Sequence, residues 1–138
     1  PRVSAAAAKQ VVEQSRTSWH VGKVQQQWEE DEGVEVRVFI NAAIGPIAKL
    51  AVNPQTGAIL PYRVEVYTAT LAMPRQTLVQ KVKEVLPKLQ IGAEAWLGGH
   101  GRYWRIPLFL EGTLVSTVKV DAATGELLII NTRKRYDD

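Results

Sequence analysis

The chain contains no cysteine, which excludes both a disulfide framework and a thiolate metal site. Nothing covalent is needed to hold it together: 138 residues can bury roughly two thirds of the surface that the unfolded chain exposes, and this length predicts one domain. Long hydrophobic runs are also missing. No stretch approaches the roughly 20 apolar residues required to span a bilayer, and no charged start leads into an apolar core as in a signal peptide. Methionine occurs once, at Met73, so the expectation is that sequence precedes Pro1, with room there for an export signal. An excess of one charge is lacking as well. The 17 basic and 14 acidic side chains leave a formal charge of +3, too small and too mixed to demand nucleic acid or a membrane surface.

What the chain does have is an internal repeat. A shift of 68 residues carries Val52-Asn53-Pro54-Gln55-Thr56-Gly57-Ala58-Ile59-Leu60 onto Val120-Asp121-Ala122-Ala123-Thr124-Gly125-Glu126-Leu127-Leu128, and sets Trp28 on Trp96 and Gly33 on Gly101. Two such copies nearly exhaust the chain, which predicts one supersecondary unit made twice, over residues 1–70 and 71–138, in one compact body.

Each copy runs from helix to strands. Ser4 can cap an alanine-rich helix over residues 5–15, and Gln76 or Thr77 opens a second over 78–86. Leu78, Val82, Val85 and Leu86 fall on one face of that helix, which should be buried, and Pro87 ends it because proline lacks an amide donor. Beyond the helices the spacing shortens to two: Val34, Val36, Val38 and Ile40 predict a strand with one core face, and the shift carries three of them onto Trp104, Ile106 and Leu108. Residues 47–52 and 113–120 read as the next strands, and 58–68 and 126–132 as the last, with an edge or bend at Pro61. The predicted class is α+β: two helix-plus-antiparallel-sheet repeats of about four strands each, related by a pseudo-twofold.

The turn before each last strand has a defined chemistry. Asn53 or Asp121 can accept a bond from an amide two residues on, Pro54 presets its own backbone angle, and Gly57 or Gly125 can take the left-handed conformation. An ion- or phosphate-binding loop would use similar residues, but a tight turn accounts for all of them.

These residues carry a resemblance. Tyr103-Trp104-Arg105-Ile106, then Gly112, then Val118-Lys119-Val120-Asp121-Ala122-Ala123-Thr124-Gly125-Glu126-Leu127-Leu128 resembles the signature of PepSY domains, whose last hairpin reads Val-Asp-Ala-x-Thr-Gly-Glu-Val/Leu. The later half is the better match; in the earlier half Asn53 and Pro54 replace Asp121 and Ala122, Ala58 replaces Glu126 and Val36 replaces the strand aromatic. The resemblance implies a small module of helix over antiparallel sheet, attached to exported or membrane-linked proteins and peptidase precursors. It further implies a protein partner, a peptidase in particular, an extracytoplasmic setting, and no catalytic residues to carry over.

Catalytic patterns are absent in their own right. His20 and His100, the only histidines, stand in no metal-binding spacing, and no serine lies in G-x-S-x-G, so neither an enzyme nor a metal or other cofactor is expected. The acidic run Glu29-Glu30-Asp31-Glu32 and the segment Gly98-Gly99-His100-Gly101 read as equivalent hairpin tips, the second a flexible turn in preference to a phosphate nest. A short basic cluster, Arg133-Lys134-Arg135, follows the last strand as a solvated tail.

Aromatic residues give the strongest binding hint. Trp28, Trp96, Tyr103 and Arg105 are the candidate lining of a groove between the halves. Alternation places Trp104 in the core and Tyr103 outside, and Trp28 and Trp96 are expected to pack under the helices. The expected function is a non-catalytic binding or regulatory module gripping a protein through sheet surface or a hairpin edge. The alternatives are a small-ligand-binding protein with a pocket between the repeats and, with less support, a nucleic-acid binder that would need a contiguous basic and aromatic face.

Overall fold

A computed structural model describes residues 1–133, so the basic tail from Lys134 onward lies outside the described residues. Helix α1 (Ala5–Ser15) begins as its sequence suggests, with Ser4 Oγ accepting the amide of Ala7 at 3.1 Å. Three antiparallel strands follow in meander order: β1 (His20–Glu29), β2 (Gly33–Ala42) and β3 (Gly45–Val52). Helix α2 (Arg75–Val85) starts earlier than expected, because Pro74, extended at φ −60° and ψ 150°, takes the N-cap position without a side-chain bond. A 3₁₀ turn, Leu86–Lys88, holds Pro87 and ends it. A second sheet contains β4 (Gln90–Ile91), β5 (Trp96–Gly98), β6 (Tyr103–Leu110) and β7 (Thr113–Asp121). Strands β4 and β5 lie one after the other along one edge of β6, and β7 occupies the other edge. The architecture is α+β with antiparallel sheets.

The central hairpins share a register. Val36–Val52, Val38–Leu50, Ile40–Ala48 and Ala42–Gly45 pair in the first. Trp104–Val120, Ile106–Val118, Leu108–Ser116 and Leu110–Thr113 pair in the second. Each residue of the later set stands 68 beyond its counterpart, and the bulge after Ile40 recurs after Leu108. In β2 the expected core face, Val34, Val36, Val38 and Ile40, joins the core, and Glu35, Arg37 and Phe39 on the opposite face are buried as well. From that opposite face Arg37 lines a cavity, where Glu65 comes over to meet it.

The last strands expected over residues 58–68 and 126–132 do not form. The first keeps two isolated bridges, Val52–Ile59 and Val34–Thr68, and the second keeps one, Val120–Leu127; beside Ile59 and Leu127, Leu60 N–H donates to Ala51 O and Leu128 N–H to Lys119 O, both at 2.9 Å. The chain then crosses to the other half. Tyr62 N–H donates to Leu114 O at 2.8 Å, and Ile130 N–H donates to Pro46 O at 2.9 Å. Pro61 does turn the chain, but it is not the common cause, since Ile129 at the corresponding place departs in the same way; pairing across the halves takes the amides that a longer strand would use.

The helices are exchanged likewise. Helix α1 lies against β4, β6 and β7, whereas α2 lies against β1. Arg2 and Val3 donate to Ala122 O at 3.0 Å, and Ala72 donates to Pro54 O at 3.1 Å, so each helix enters from the turn of the half it does not precede. Arg16 joins the helix ends by donating to the carbonyls of Leu86, Pro87 and Leu89. The result is one hydrophobic core that includes Val12, Val36 and Leu50 with Leu78, Val82, Ile106 and Val118.

Candidate functional site

On the sheet face opposite the helices, a cavity of about 490 Å³ opens where the halves meet. Its walls follow from the exchange. Arg37 on β2 and Lys49 and Ala51 on β3 line one side, while Arg105 on β6 and Val115, Thr117 and Lys119 on β7 line the other. The crossing segment supplies Tyr62, Arg63, Val64, Glu65 and Tyr67, and the later crossing supplies Ile130. Ser116 Oγ donates to Lys49 O at 2.6 Å, drawing β3 and β7 together beneath the opening.

Each half contributes one buried arginine at the same place in its hairpin, Arg37 opposite Ala51 and Arg105 opposite Lys119. Their surroundings differ. Arg37 Nη2 lies 3.4 Å from Glu35 Oε1 and 3.8 Å from Glu65 Oε2. Arg105 donates to Thr117 Oγ1 at 3.1 Å, to Tyr62 OH at 3.3 Å and to Tyr103 OH at 3.4 Å. Its guanidinium also stands 5.3 Å from the centre of the Tyr103 ring, and Lys119 Nζ lies 4.9 Å from the same ring. The difference originates two residues earlier on each strand, where Glu35 in one half corresponds to Tyr103 in the other.

The Glu35 carboxyl is pushed up to about 7, mainly by burial and then by its hydrogen bond to Glu65, while Arg37 opposes the change. The Tyr67 hydroxyl, which donates to Glu65 Oε2 at 3.2 Å, is pushed up to about 12 by burial and then by the nearby Glu35 charge. The turns titrate in the other direction: the amides of Thr124 and Ala123 hold the Asp121 carboxyl below its ordinary value. Asp121 Oδ1 accepts both amides at 3.0 and 2.8 Å, and Asn53 Oδ1 accepts those of Thr56 and Gln55 at 3.2 and 2.8 Å. Gly57 and Gly125 follow at φ +76° and +78°, so these motif residues build turns.

Of the four residues anticipated as a groove lining, Arg105 lines the cavity and Tyr103 supports it from below. Trp96 sits at a separate hollow of about 350 Å³ with Pro107, Phe109 and Leu114. Trp28 is 58% exposed on β1, so neither it nor Trp96, 39% exposed, packs under a helix. Their equivalence in sequence does not survive in register, because Trp96 pairs with Arg105 whereas Arg37 pairs with Gln25. Trp104 is half-buried but packs against the core, its Nε1 donating to Val3 O at 2.8 Å, whereas Tyr103 is half-buried where an exposed ring was expected.

The glycine-rich tip has a steric purpose. A Cβ at Gly98 or Gly99 would stand 2.7 or 2.3 Å from the Tyr103 ring, so the tip lets that ring lie flat beneath it. Of the acidic run, Glu32 reaches the cavity. Sequence reasoning missed Arg37, Lys49, Tyr62, Glu65 and Lys119, although one signal was present: the 68-residue shift that aligns the core valines also aligns Arg37 with Arg105, both on the non-core side of a strand.

Among the described residues, no group of three or more histidine, cysteine and carboxylate side chains could hold a metal ion, and no helix is long and apolar enough to cross a membrane. No family model, curated protein or solved structure matches the chain.

Proposed function

We propose that the chain is a non-catalytic binding module, a tandem PepSY-like repeat that restrains a protein partner, with a peptidase outside the cytoplasm as the class and setting the resemblance implies. The cavity between the halves carries this reading. Its two deepest charged groups, Arg37 and Arg105, come one from each half and are already held by neighbours, and recognition gains affinity from such pre-organised groups. The common register of the hairpins, the reciprocal crossing bonds and the paired Asx turns support duplication of one unit.

Site-specific cross-linking in native extract tests the role. A photoreactive side chain at Val64, inside the cavity, is expected to trap one protein that the same group at Ile44, on an exposed hairpin tip, does not trap. Equal trapping from both positions would count against the cavity as the grip. The cavity volume favours one second reading, a small-ligand carrier, since about 490 Å³ falls within the roughly 300–1,000 Å³ range of ligand pockets. A thermal-shift screen separates the two, because a small ligand at high occupancy raises Tm without any protein partner.

A further inference from the structure

We infer that residues 63–67 of the crossing segment form a strap over the cavity, latched to β2 by a proton shared between the carboxyls of Glu35 and Glu65, and that loss of this proton releases it. The consequence, control of access to the cavity, rests on the binding-module reading; the movement itself does not.

The ends of the strap are fixed, but its middle belongs to neither sheet. Leu60 and Tyr62 donate to Ala51 O and Leu114 O before it, at 2.9 and 2.8 Å, and Thr68 exchanges two bonds with Val34 after it, at 2.7 and 3.0 Å. Among the described residues, no backbone bond joins Val64, Glu65 or Val66 to a strand; the Val64 amide turns back to Pro61 O at 3.0 Å. Arg63 makes that turn at φ +64°, a conformation disfavoured for any residue with a Cβ. Such a segment keeps its closed position through its side chains. Arg63, Val64, Glu65 and Tyr67 all line the cavity, so displacing the strap widens it.

The latch is a pair of carboxyls that meet at one guanidinium. Glu35 Oε1 and Glu65 Oε2 lie 3.4 and 3.8 Å from Arg37 Nη2, and the two side chains are hydrogen-bonded to each other. That bond needs a proton on one of them. Burial assigns it to Glu35, which is 4% exposed and whose Oε1 accepts no hydrogen bond, so its ionised form would be poorly stabilised there. Glu65 is exposed and accepts the Tyr67 hydroxyl at 3.2 Å.

The groups facing Glu35 are Arg37 on its own strand, Lys49 on β3, and Glu65 and Tyr67 on the strap; Gln27, opposite it on β1, is uncharged. Arg37 and Lys49 favour ionisation, but burial and Glu65 outweigh them and raise the carboxyl to about 7. Tyr67, pushed up to about 12, stays protonated across this range. Once ionised, Glu35 faces a like charge where it had a hydrogen-bond partner, and Glu65 is the member of the pair that can move into water. The strap therefore loosens as pH rises through about 7 and closes as it falls.

Spin labelling tests the latch directly. The chain has no cysteine, so Val64→Cys carries a single nitroxide on the strap, and its EPR line shape reads local motion. The mobile fraction is expected to rise several-fold from about pH 5.5 to about pH 8.5, half of the change falling near pH 7. The same label at Ile44→Cys, on an exposed hairpin tip, is expected not to respond. Glu65→Gln, at an exposed position, supplies an amide that bonds Glu35 in either protonation state, and is expected to abolish the response. Glu35→Gln is expected to do the same; because Glu35 is buried, this variant is scored only if its Tm stays near wild type, and Glu65→Gln otherwise decides. A wild-type strap label indifferent to pH, an equal response at Ile44, or a full response in Glu65→Gln would overturn the latch. An indifferent label together with specific trapping from Val64 would remove the latch and leave the binding-module reading standing, whereas a responsive label without trapping would do the reverse.

Discussion

The two halves agree where their strands are central and differ where they are edges. Hairpins β2–β3 and β6–β7 coincide in register and in the place of their bulge. The outer strand is continuous in the earlier half, but in the later half it is reduced to β4 and β5, two and three residues long. Gly22 and Gly92 occupy the same point of each outer strand, and a Cβ there would meet Asn41 in one half and the rings of Phe109 and Pro107 in the other. In the earlier half the strand passes this point as a shift in register between Val21 and Val24. In the later half Pro107 stands where Phe39 stands in β2, and the pairing stops after Gly92 N–H reaches Pro107 O at 2.9 Å. A proline has no amide to donate to a neighbouring strand. Edge strands tolerate such a loss because solvent can satisfy what remains, whereas a central hairpin in a shared core cannot change register without turning its valines outward.

The helices offer the sharpest test of how far the halves are equivalent, and the largest expected effects. Leu78 on α2 corresponds to Ala8 on α1, and both are fully buried, as are Val82 and Val12. The same structural place is thus filled by side chains of very different volume. Leu78→Ala is expected to cost about 2–5 kcal/mol, measured by urea denaturation, because the large side chain lies at the centre of the common core. The reverse change, Ala8→Leu, is expected to cost about 1–3 kcal/mol by overpacking the space over β6 and β7. A neutral Ala8→Leu would mean that the later sheet holds unfilled room beneath its helix and that the two packings are closer than they look. Since each helix covers the sheet of the other half, both variants should unfold in one transition seen alike by all probes.

A smaller difference is expected at the turns. Alanine at Gly57 or Gly125 must adopt φ near +76° or +78°, which costs about 1–2 kcal/mol in either half. The space around them differs. A Cβ at Gly57 would stand 2.6 Å from Lys81 Cδ and 2.8 Å from Met73 Sδ, whereas at Gly125 the nearest atom is a Val3 methyl at 3.5 Å. Gly57→Ala should therefore lower Tm more than Gly125→Ala, by a margin limited by how easily the flexible Lys81 and Met73 side chains move. Equal Tm values would show that the backbone conformation alone decides the cost.

Much of the fold is legible in the sequence because it depends on local chemistry. The Ser4 cap, the period-two run from Val34 to Ile40, and the Asn53 and Asp121 turns each state their structure within a few residues. The exchange of helices is not legible. Each helix buries a short apolar face, Ala8 and Val12 on α1 and Leu78 and Val82 on α2, and nothing in either one says which sheet it covers. Most of the cavity's lining was missed for a related reason. Its residues are spread over both hairpins and the crossing segment, and 58–68 reads as a strand although its Tyr62 amide is bonded to Leu114 of the other half. Trp28 and Trp96 attracted attention by size and Arg105 was anticipated beside them, whereas Arg37 looked like an ordinary charge on a strand.

The last comparison is between Glu35 and Tyr103, the residues beside the two arginines, and it is read through pH. Glu35 in the fold is raised from an ordinary 4.5 to about 7, by burial and by Glu65, so between these values the folded chain holds a proton that the unfolded chain has released. Stability from this group is complete below about 4.5 and is lost as pH rises through about 7. The groups facing it are Arg37 on β2, Lys49 on β3, and Glu65 and Tyr67 on the crossing segment. Urea midpoints are accordingly expected to fall between pH 5 and 8 in the wild type. Glu35→Gln keeps the shape, removes the charge, and is expected to flatten that fall and to gain on the order of 1 kcal/mol above pH 7. A Glu35→Gln profile that falls as steeply as the wild type would assign the pH dependence elsewhere. A flattened profile would show that beside the cavity one half carries a titrating carboxyl, Glu35, at the place where the other half has Tyr103.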